Sequence, residues 1–433
     1  MAGKTLFQYL LEGISEEERG YSEWKVENLL SDICPDTTLW QKKITELSGG
    51  YQRLAAVARG VINDPGLLLI DEPTNYLDLE NVIFLEQWLM NEVKMPYLFV
   101  SHDREFLDNC TNRTLTLRKG QVIDHRLPYS QSKEAILVKD EADAVQRNLE
   151  ETEIARIRES IKRLRVFGQG RKARIMGRRA DKMERNKTDV YVEDNRKLSL
   201  SQEEIRANTM LSIENYPVTT PSGVLLFTVR NLHISRNDRA VLLGQNGAGK
   251  TMFINHIMRA AAEPTDIKNN KGERTLLRFN PQIKIGYFDQ QLESLDQDRS
   301  ISEVVNRIEG VTKNKAAGEL VAAGFPFAIQ NKKVAQLSPG EKARIMFLKL
   351  KLEKANFFVL DEPSNHLDIE GQEELEAELQ SDRNSCIFIS HDRRLVENTA
   401  NRFLMIKCGV LTEISEPDVF YKAVAIKLKG RQK

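Results

Sequence analysis

The chain has 433 residues, 41% apolar and 29% charged, with 63 basic and 63 acidic side chains and hence no net charge. That length allows two to three domains with packed cores, which excludes a wholly disordered chain, and the charge balance excludes a globally basic nucleic-acid binder. The longest apolar stretches, such as Gly66 to Ile70, are strand-length, no charged-then-apolar leader follows Met1, and the four cysteines show no metal-like spacing; we expect a cytoplasmic protein with reduced thiols and no membrane insertion.

Reading from the amino terminus, Thr5 to Gly13 fits a short helix, and Leu47-Ser48-Gly49-Gly50 follows. Residues 67–80, LLLIDEPTNYLDLE, begin as an apolar strand that ends in Asp71-Glu72. A helical pattern runs from Glu80 to Val93, and a second apolar strand, Tyr97 to Val100, ends in Ser101-His102-Asp103. Strands alternating with helices predict a parallel sheet.

The next segment differs in composition. Ser132 to Leu164 and Arg171 to Asn186 carry helical spacing, with a turn expected at Phe167-Gly168-Gln169-Gly170. From Ile154 to Lys187 there are thirteen Lys/Arg against three Asp/Glu, a net of +10. We read 131–205 as a basic helical hairpin linking a partial domain over 1–130 to a complete one over 206–433. An exposed basic helix pair is either a solvated face or an RNA-contacting surface. Phe167 alone interleaves as an aromatic, so base-specific stacking is not expected.

The strand Val241-Leu242-Leu243 then runs into Gly244-Gln245-Asn246-Gly247-Ala248-Gly249-Lys250-Thr251 and a helix-forming Met252-Phe253-Ile254. This is G-x-x-x-x-G-K-T in the strand–loop–helix context the motif requires. Its backbone N–H groups at Gly244, Asn246, Gly247, Ala248 and Gly249 suit phosphates at a helix N-terminus. Lys250 suits the β and γ phosphates, and the Thr251 hydroxyl suits Mg²⁺. Gln290, in Tyr287-Phe288-Asp289-Gln290, is a candidate metal and water ligand or simply a polar residue after a strand. Asp361 and Glu362 end the strand Phe357 to Leu360; they are expected to hold the ion and to orient or deprotonate the attacking water. His391 follows the strand Cys386 to Ile389 and is expected to contact the γ-phosphate.

The second half repeats the first. Residues 357–370, FFVLDEPSNHLDIE, lie 290 after LLLIDEPTNYLDLE; Leu337-Ser338-Pro339-Gly340 lies 290 after Leu47-Ser48-Gly49-Gly50; Ser390-His391-Asp392-Arg393 lies 289 after Ser101-His102-Asp103-Arg104. Three ordered matches define a duplicated module. The same offset places the counterpart of Lys250 before Met1, and that of Gln290 at position zero. Gly3-Lys4-Thr5 is then a coincidence or the start of a real P-loop with a large deletion. The 41 residues between Thr5 and Leu47, against 85 between Thr251 and Leu337, favour coincidence. Thr5 to Gly13 instead matches Ser300 to Gly310. A first copy without the strands before its signature would leave unsatisfied sheet edges, which a complementing chain or self-association would cover.

Together the P-loop 244–251, the Gln290 loop, the LSGG and LSPG signatures, the two Asp-Glu-Pro motifs, the D-loops 75–78 and 365–368 and both histidines resemble the nucleotide-binding domains of ABC ATPases. Two copies on a charged helical linker, with no membrane domain, resemble the ABC-F family of soluble translation-associated ATPases. The resemblance implies an α/β fold of two P-loop NTPase domains, the first incomplete, with ATP and Mg²⁺ as cofactors. It also implies a composite site in which Ser48, Gly49 and Gly50 complete the γ-phosphate cage of the second copy, Tyr216 stacking on adenine unless it is only a strand-end aromatic, and a linker that touches rRNA and tRNA on the ribosome. The function expected is ATP hydrolysis that remodels translation, relieving stalls or conferring antibiotic resistance. The alternatives are the ATP-binding subunit of a membrane transporter and a non-hydrolysing nucleotide-dependent binding protein.

Overall fold

The computed structural model describes residues 3–14, 22–75, 77–118, 120–190, 198, 200, 208–268, 272, 274–381 and 384–431. Tyr76 of the first D-loop and most of 191–207, where the linker was expected to end, lie outside the described residues. Two compact units emerge, one formed by 1–106 with 196–433 and one by 107–195.

In chain order the first copy contributes α1 (Leu6–Leu11), α2 (Glu23–Ile33), α3 (Gly49–Val61), β1 (Leu68–Asp71), α4 (Leu79–Asn91), β2 (Tyr97–Val100) and α5 (Arg104–Cys110). α1 starts at a capping box: Thr5 Oγ1 accepts from the Gln8 N–H at 3.2 Å and Gln8 Oε1 accepts from the Thr5 N–H at 3.1 Å. A single bridge joins Thr5 to Lys43. Far downstream, Ser300 forms the same capping box with Glu303 and the same bridge to Lys333. Lys4 pairs with Glu12 at 2.5 Å. Gly3-Lys4-Thr5 is thus a helix cap equivalent to the segment ending at Ser300, and not a phosphate loop.

The 107–195 unit holds the antiparallel hairpin β3 (Thr114–Arg118) and β4 (Gln121–His125), then α6 (Tyr129–Val166) and α7 (Gly170–Arg185). α6 has 38 residues, a rod of about 57 Å at 1.5 Å per residue. Gly168, at φ 71°, makes the reversal into α7. The seam is narrow. Ile157, Ile161, Ala173 and Ala180 form its buried core, with Leu164, Met176 and Met183 packed alongside. The remaining helix surface is free to carry charge.

The second copy comprises β5 (Thr209–Thr219), β6 (Leu225–Ser235), β7 (Arg239–Leu243), α8 (Lys250–Ala262), β8 (Thr265–Lys268), β9 (Arg274–Phe279), β10 (Ile285–Phe288), α9 (Ile301–Asn306), α10 (Lys313–Ala322), α11 (Pro339–Leu352), β11 (Phe357–Asp361), α12 (Ile369–Gln380), β12 (Cys386–Ile389), α13 (Arg393–Thr399), β13 (Arg402–Lys407), β14 (Val410–Ile414) and α14 (Asp418–Arg431). Among the described residues its ten strands run in the order β10-β11-β12-β7-β13-β14-β6-β5-β9-β8. β10, β11, β12, β7 and β13 are mutually parallel. Their unbroken Val/Ile/Leu/Phe runs are what a sheet covered on both faces requires. Phe253, Ile254 and Ile257 of α8 are fully buried in the core that includes Phe357, Val359, Ile387 and Ile389.

The two copies share strands but not cover. β1 pairs with β2 as β11 pairs with β12, both parallel. The counterparts of Phe357, Val359, Ile387 and Ile389 are Leu67, Leu69, Leu98 and Val100, and all four are exposed, Leu69 to 69%. Among the described residues the first copy has no element equivalent to β7 or α8 to lie over them.

Candidate functional site

Four of the parallel strands deliver the candidate residues to one edge of the sheet. β7 ends in the phosphate loop, β11 in Asp361-Glu362, β12 just before His391, and β10 just before Asp289-Gln290. The carboxyl edge of a parallel sheet is where ligands bind in such folds.

Local sequence shapes the loop. Gly247 and Gly249 sit at φ 76° and 96°, and a Cβ on Gly249 would meet Leu226 Cδ1 at 2.8 Å. Only glycine fits there. Lys250 opens α8 and is buried; its Nζ donates to the Gly244 carbonyl at 2.7 Å and to that of Gln245 at 3.3 Å. Burial pushes the ammonium pKa down, against the pull of Glu362, Asp78 and Asp361.

Asp361 and Glu362 are both buried. Desolvation, then the neighbouring Glu362 charge, raises Asp361 to about 6, while the Thr251 hydroxyl hydrogen-bonds it and opposes the rise. Desolvation raises Glu362 to about 7. Glu362 adopts φ 51°, a left-handed conformation that costs a non-glycine residue about 1 kcal/mol or more. The turn aims its carboxylate back over the strand ends. The His391 N–H donates to Oε2 at 3.1 Å, and His391 Nε2 lies 3.4 Å from Oε1. Oε1 itself is buried without a hydrogen-bond partner. Desolvation, then the Lys250 charge, lowers His391 to about 3, so its ring is neutral at physiological pH.

The donor set fits a hard cation. Two adjacent buried carboxylates, both raised by desolvation, and a hydroxyl bonded to one of them are hard oxygen ligands of the kind Mg²⁺ takes alongside phosphate and water. Among the described residues no group of three His, Cys, Asp or Glu forms a cage that would hold a metal by itself.

Not every expected residue meets the others. Gln290 is an exposed turn residue, and among the described residues no hydrogen bond joins it to Thr251 or Asp361. Its neighbour Asp289 is the one whose charge reaches Asp361. Ser48 Oγ accepts the Tyr51 N–H at 3.5 Å as the cap of α3, and no described hydrogen bond joins 48–50 to 244–251. Tyr216 is half-buried: its hydroxyl lies 2.9 Å from His256 Nδ1 and its ring packs edge-on to the imidazole at 5.6 Å, which ties β5 to α8. Pro339 occupies the first turn of α11, where a missing N–H leaves no intrahelical bond unmade.

Sequence reading missed Asp78. It lies in the first copy's D-loop, caps α4 by accepting the Asn81 N–H at 2.9 Å, and its charge acts on both Lys250 and His391 of the second copy. The repeat of Asn-x-Leu-Asp was the available signal, but it does not say which copy the aspartate serves. The first copy also keeps a parallel of the hydrolytic corner: Glu72 at φ 46°, with His102 Nε2 3.4 Å from its Oε1. Arg53 Nη2 there donates to the Asp71 and Glu72 carbonyls at 3.0 and 2.5 Å.

A parallel sheet with a phosphate loop, an Asp-Glu corner and a switch histidine on one edge, preceded by a second copy of the signature and Asp-Glu elements, defines tandem P-loop NTPase domains of the ABC type. The family model described as ABC transporter matches residues 2–75 and 227–365. The chain is 32% identical over 396 residues to ATP-binding protein Uup of Haemophilus influenzae, covering 87% of this chain and 58% of that protein. It is 29% identical to ABC transporter F family member 5 of Arabidopsis thaliana, covering 87% of this chain and 54% of that protein. In fold it is similar to an archaeal ribosome recycling factor solved with a ribosomal stalk protein, at TM-score 0.63 and 17% identity over 98% of this chain and 73% of that one. The chain belongs to the ABC-F family of tandem ABC ATPases. It spans a little over half the length of the curated relatives it matches.

Proposed function

We propose that the second copy binds ATP and hydrolyses it, and that the basic hairpin couples this cycle to RNA on the ribosome. The observation that carries the first part is the convergence of Lys250, Thr251, Asp361, Glu362 and His391 on one strand edge. Gly244, Asn246, Gly247, Ala248 and Gly249 present backbone N–H groups to the phosphates at the positive end of α8. Lys250 exchanges its own loop's carbonyls for phosphate oxygens. Thr251 and Asp361, with Gln290 recruited on closure, would hold Mg²⁺, which would supply charge neutralisation at the β and γ phosphates.

Glu362 accepts a proton from the attacking water, for which its unpartnered Oε1 is free, and a pKa near 7 suits that exchange at neutral pH. His391, neutral and fixed to the same carboxylate, donates to the γ-phosphate and keeps the water in line. Ser48, Gly49 and Gly50 approach from the first copy at the N-terminus of α3. The Asp78 charge that already reaches Lys250 and His391 supports that approach.

We place the protein in the cytoplasm and divide it into a partial cassette over 1–130, the linker over 131–205 and a complete cassette over 206–433. No described helix is long and apolar enough to cross a membrane. Lys162, Arg165, Arg171, Lys172, Arg174 and Arg178 are exposed around a hairpin tip where Val166 and Phe167 are 83% and 76% exposed. Such a surface suits a phosphate-rich partner with an apolar crevice. The fold-level neighbour solved with a ribosomal stalk protein favours the ribosome as that partner. Co-sedimentation with ribosomes, with and without ATP and across a salt series, tests it. Salt-insensitive or absent binding in both nucleotide states refutes the ribosomal part while leaving hydrolysis to its own assay.

A further inference from the structure

The residues after Asp103 and Asp392 each reach into the opposite copy. Arg104 of α5 donates to Glu376 of α12 and lies 3.5 Å from Asp392 and 3.8 Å from Glu373. Arg393 of α13 pairs with both carboxylate oxygens of Glu86 in α4, one at 3.2 Å. The two bridges are each other's image in the repeat: Arg104 and Arg393 differ by 289, Glu86 and Glu376 by 290. All four side chains are 11% exposed or less. Asn398 donates to the second oxygen of Glu376 at 3.0 Å.

Arg393 lies two residues after His391, and Arg104 approaches Asp392, the residue between them. Asp392 Oδ1 caps α13 by accepting the Leu395 N–H at 3.1 Å, and Asp103 caps α5 the same way on the Phe106 N–H at 2.9 Å. Arg104 therefore touches the aspartate that follows His391, and His391 is bonded to Glu362. Buried charges with near-complete pairing resist separation, because opening the interface would leave each guanidinium and carboxylate unpaired until water reached it. Reciprocal placement lets the two copies rotate about the bridges while the far edges, with the phosphate loop and the signature, open and close.

We propose that Arg104–Glu376 and Arg393–Glu86 form the fixed pivot between the two ABC copies, and that Arg104 is a positioning residue that sets His391 through Asp392. The pivot joins the copies with no nucleotide bound; the positioning role rests on the hydrolysis proposed above.

The test uses the full chain, labelled with a fluorophore pair at Cys408, the exposed one among the free cysteines, and at an introduced Glu27→Cys. The nucleotide-free protein is expected to show one narrow distance population. The Glu86→Gln/Glu376→Gln double variant is expected to add a longer one. Its kcat for ATP is expected to fall about tenfold or more, with KM unchanged within about twofold, since the phosphate loop is untouched. The Arg104→Lys/Arg393→Lys variant keeps the charges without the bidentate geometry, is expected to show the same changes in milder form, and decides the matter if the double Gln variant does not fold. Wild-type distances in a folded variant overturn the pivot. Altered distances with wild-type kcat overturn the positioning role. If the unmodified chain hydrolyses no ATP, the distance measurement still decides the pivot, and only the hydrolytic reading falls.

Discussion

The main-chain N–H of His391 and the Glu362 carboxylate meet at 3.1 Å, and the imidazole Nε2 of the same histidine lies 3.4 Å from the other carboxylate oxygen. One residue thus anchors Oε2 and stands beside Oε1, which keeps no hydrogen-bond partner of its own. The Glu362→Gln variant keeps the shape and loses the base. We expect ATP turnover to drop by at least about a hundredfold while nucleotide binding persists. Steady-state turnover alongside equilibrium binding of a fluorescent ATP analogue checks it; unchanged turnover removes Glu362 from the mechanism.

Lys250 is buried with its ammonium on its own loop's carbonyls. Lys250→Met removes the proposed phosphate contact and also a costly buried charge. The variant is expected to melt at or above the wild-type temperature without nucleotide and to lose the upward shift expected of the wild type at saturating ATP, about 3–4 kcal/mol of linkage at a hundredfold to thousandfold excess over Kd. Thermal melts with and without MgATP read both effects.

The pH dependence of stability has a definite sign. Glu362 titrates near 7 folded against an ordinary glutamate value of 4.5, so between these pH values the folded state binds more protons than the unfolded state. Its contribution is fully present below about pH 4.5 and lost as pH rises through 7. His391, lowered to about 3, works the other way: its contribution is present above pH 6.5 and is lost as pH falls towards 3. Melts of the nucleotide-free protein from pH 5 to 8 should therefore show the Glu362→Gln variant gaining on the wild type as pH rises, by at most about 3 kcal/mol. A constant gap across the range contradicts the buried-acid account.

Equivalent positions in the two copies should respond differently. Val359 is fully buried under α8, whereas its counterpart Leu69 is 69% exposed. Val359→Ala should cost about 1–3 kcal/mol, and Leu69→Ala less than about 0.5 kcal/mol. Chemical denaturation separates them. Equal losses would mean that Leu69 is covered in solution.

At the hairpin tip, replacing Arg171, Lys172 and Arg174 by Gln should weaken ribosome binding and reduce the slope of log K against log salt by about two, at roughly 0.7–0.9 for each phosphate no longer neutralised. The ATPase rate without ribosomes should stay within about twofold, because these residues belong to α7 of the hairpin and are none of the candidate nucleotide-site residues. A salt series of binding isotherms measures the slope.

Much of the site was legible because its chemistry is local. A phosphate loop needs glycines at the positions where φ is 76° and 96°, and those appear as Gly247 and Gly249 in the string itself. The helical hairpin was legible from periodicity, and its turn from Gly168. The contact of Tyr216 with His256 was not legible, because an aromatic at a strand end looks the same whether or not it packs on a helix forty residues away. Asp289 was passed over beside Gln290 because nothing in the local pattern tells that its charge reaches Asp361.

By itself the sequence determined the duplication, the phosphate loop and the acid pair, since each is a short-range demand on backbone freedom or charge. The tertiary structure alone decided that Gly3-Lys4-Thr5 caps a helix, that the Asp78 charge of one copy reaches Lys250 of the other, and that Arg104 and Arg393 exchange partners between copies. Those outcomes depend on which surfaces are brought together and dried. Pairing energy between charges is set by distance and burial, and neither is written in the spacing of residues along a chain.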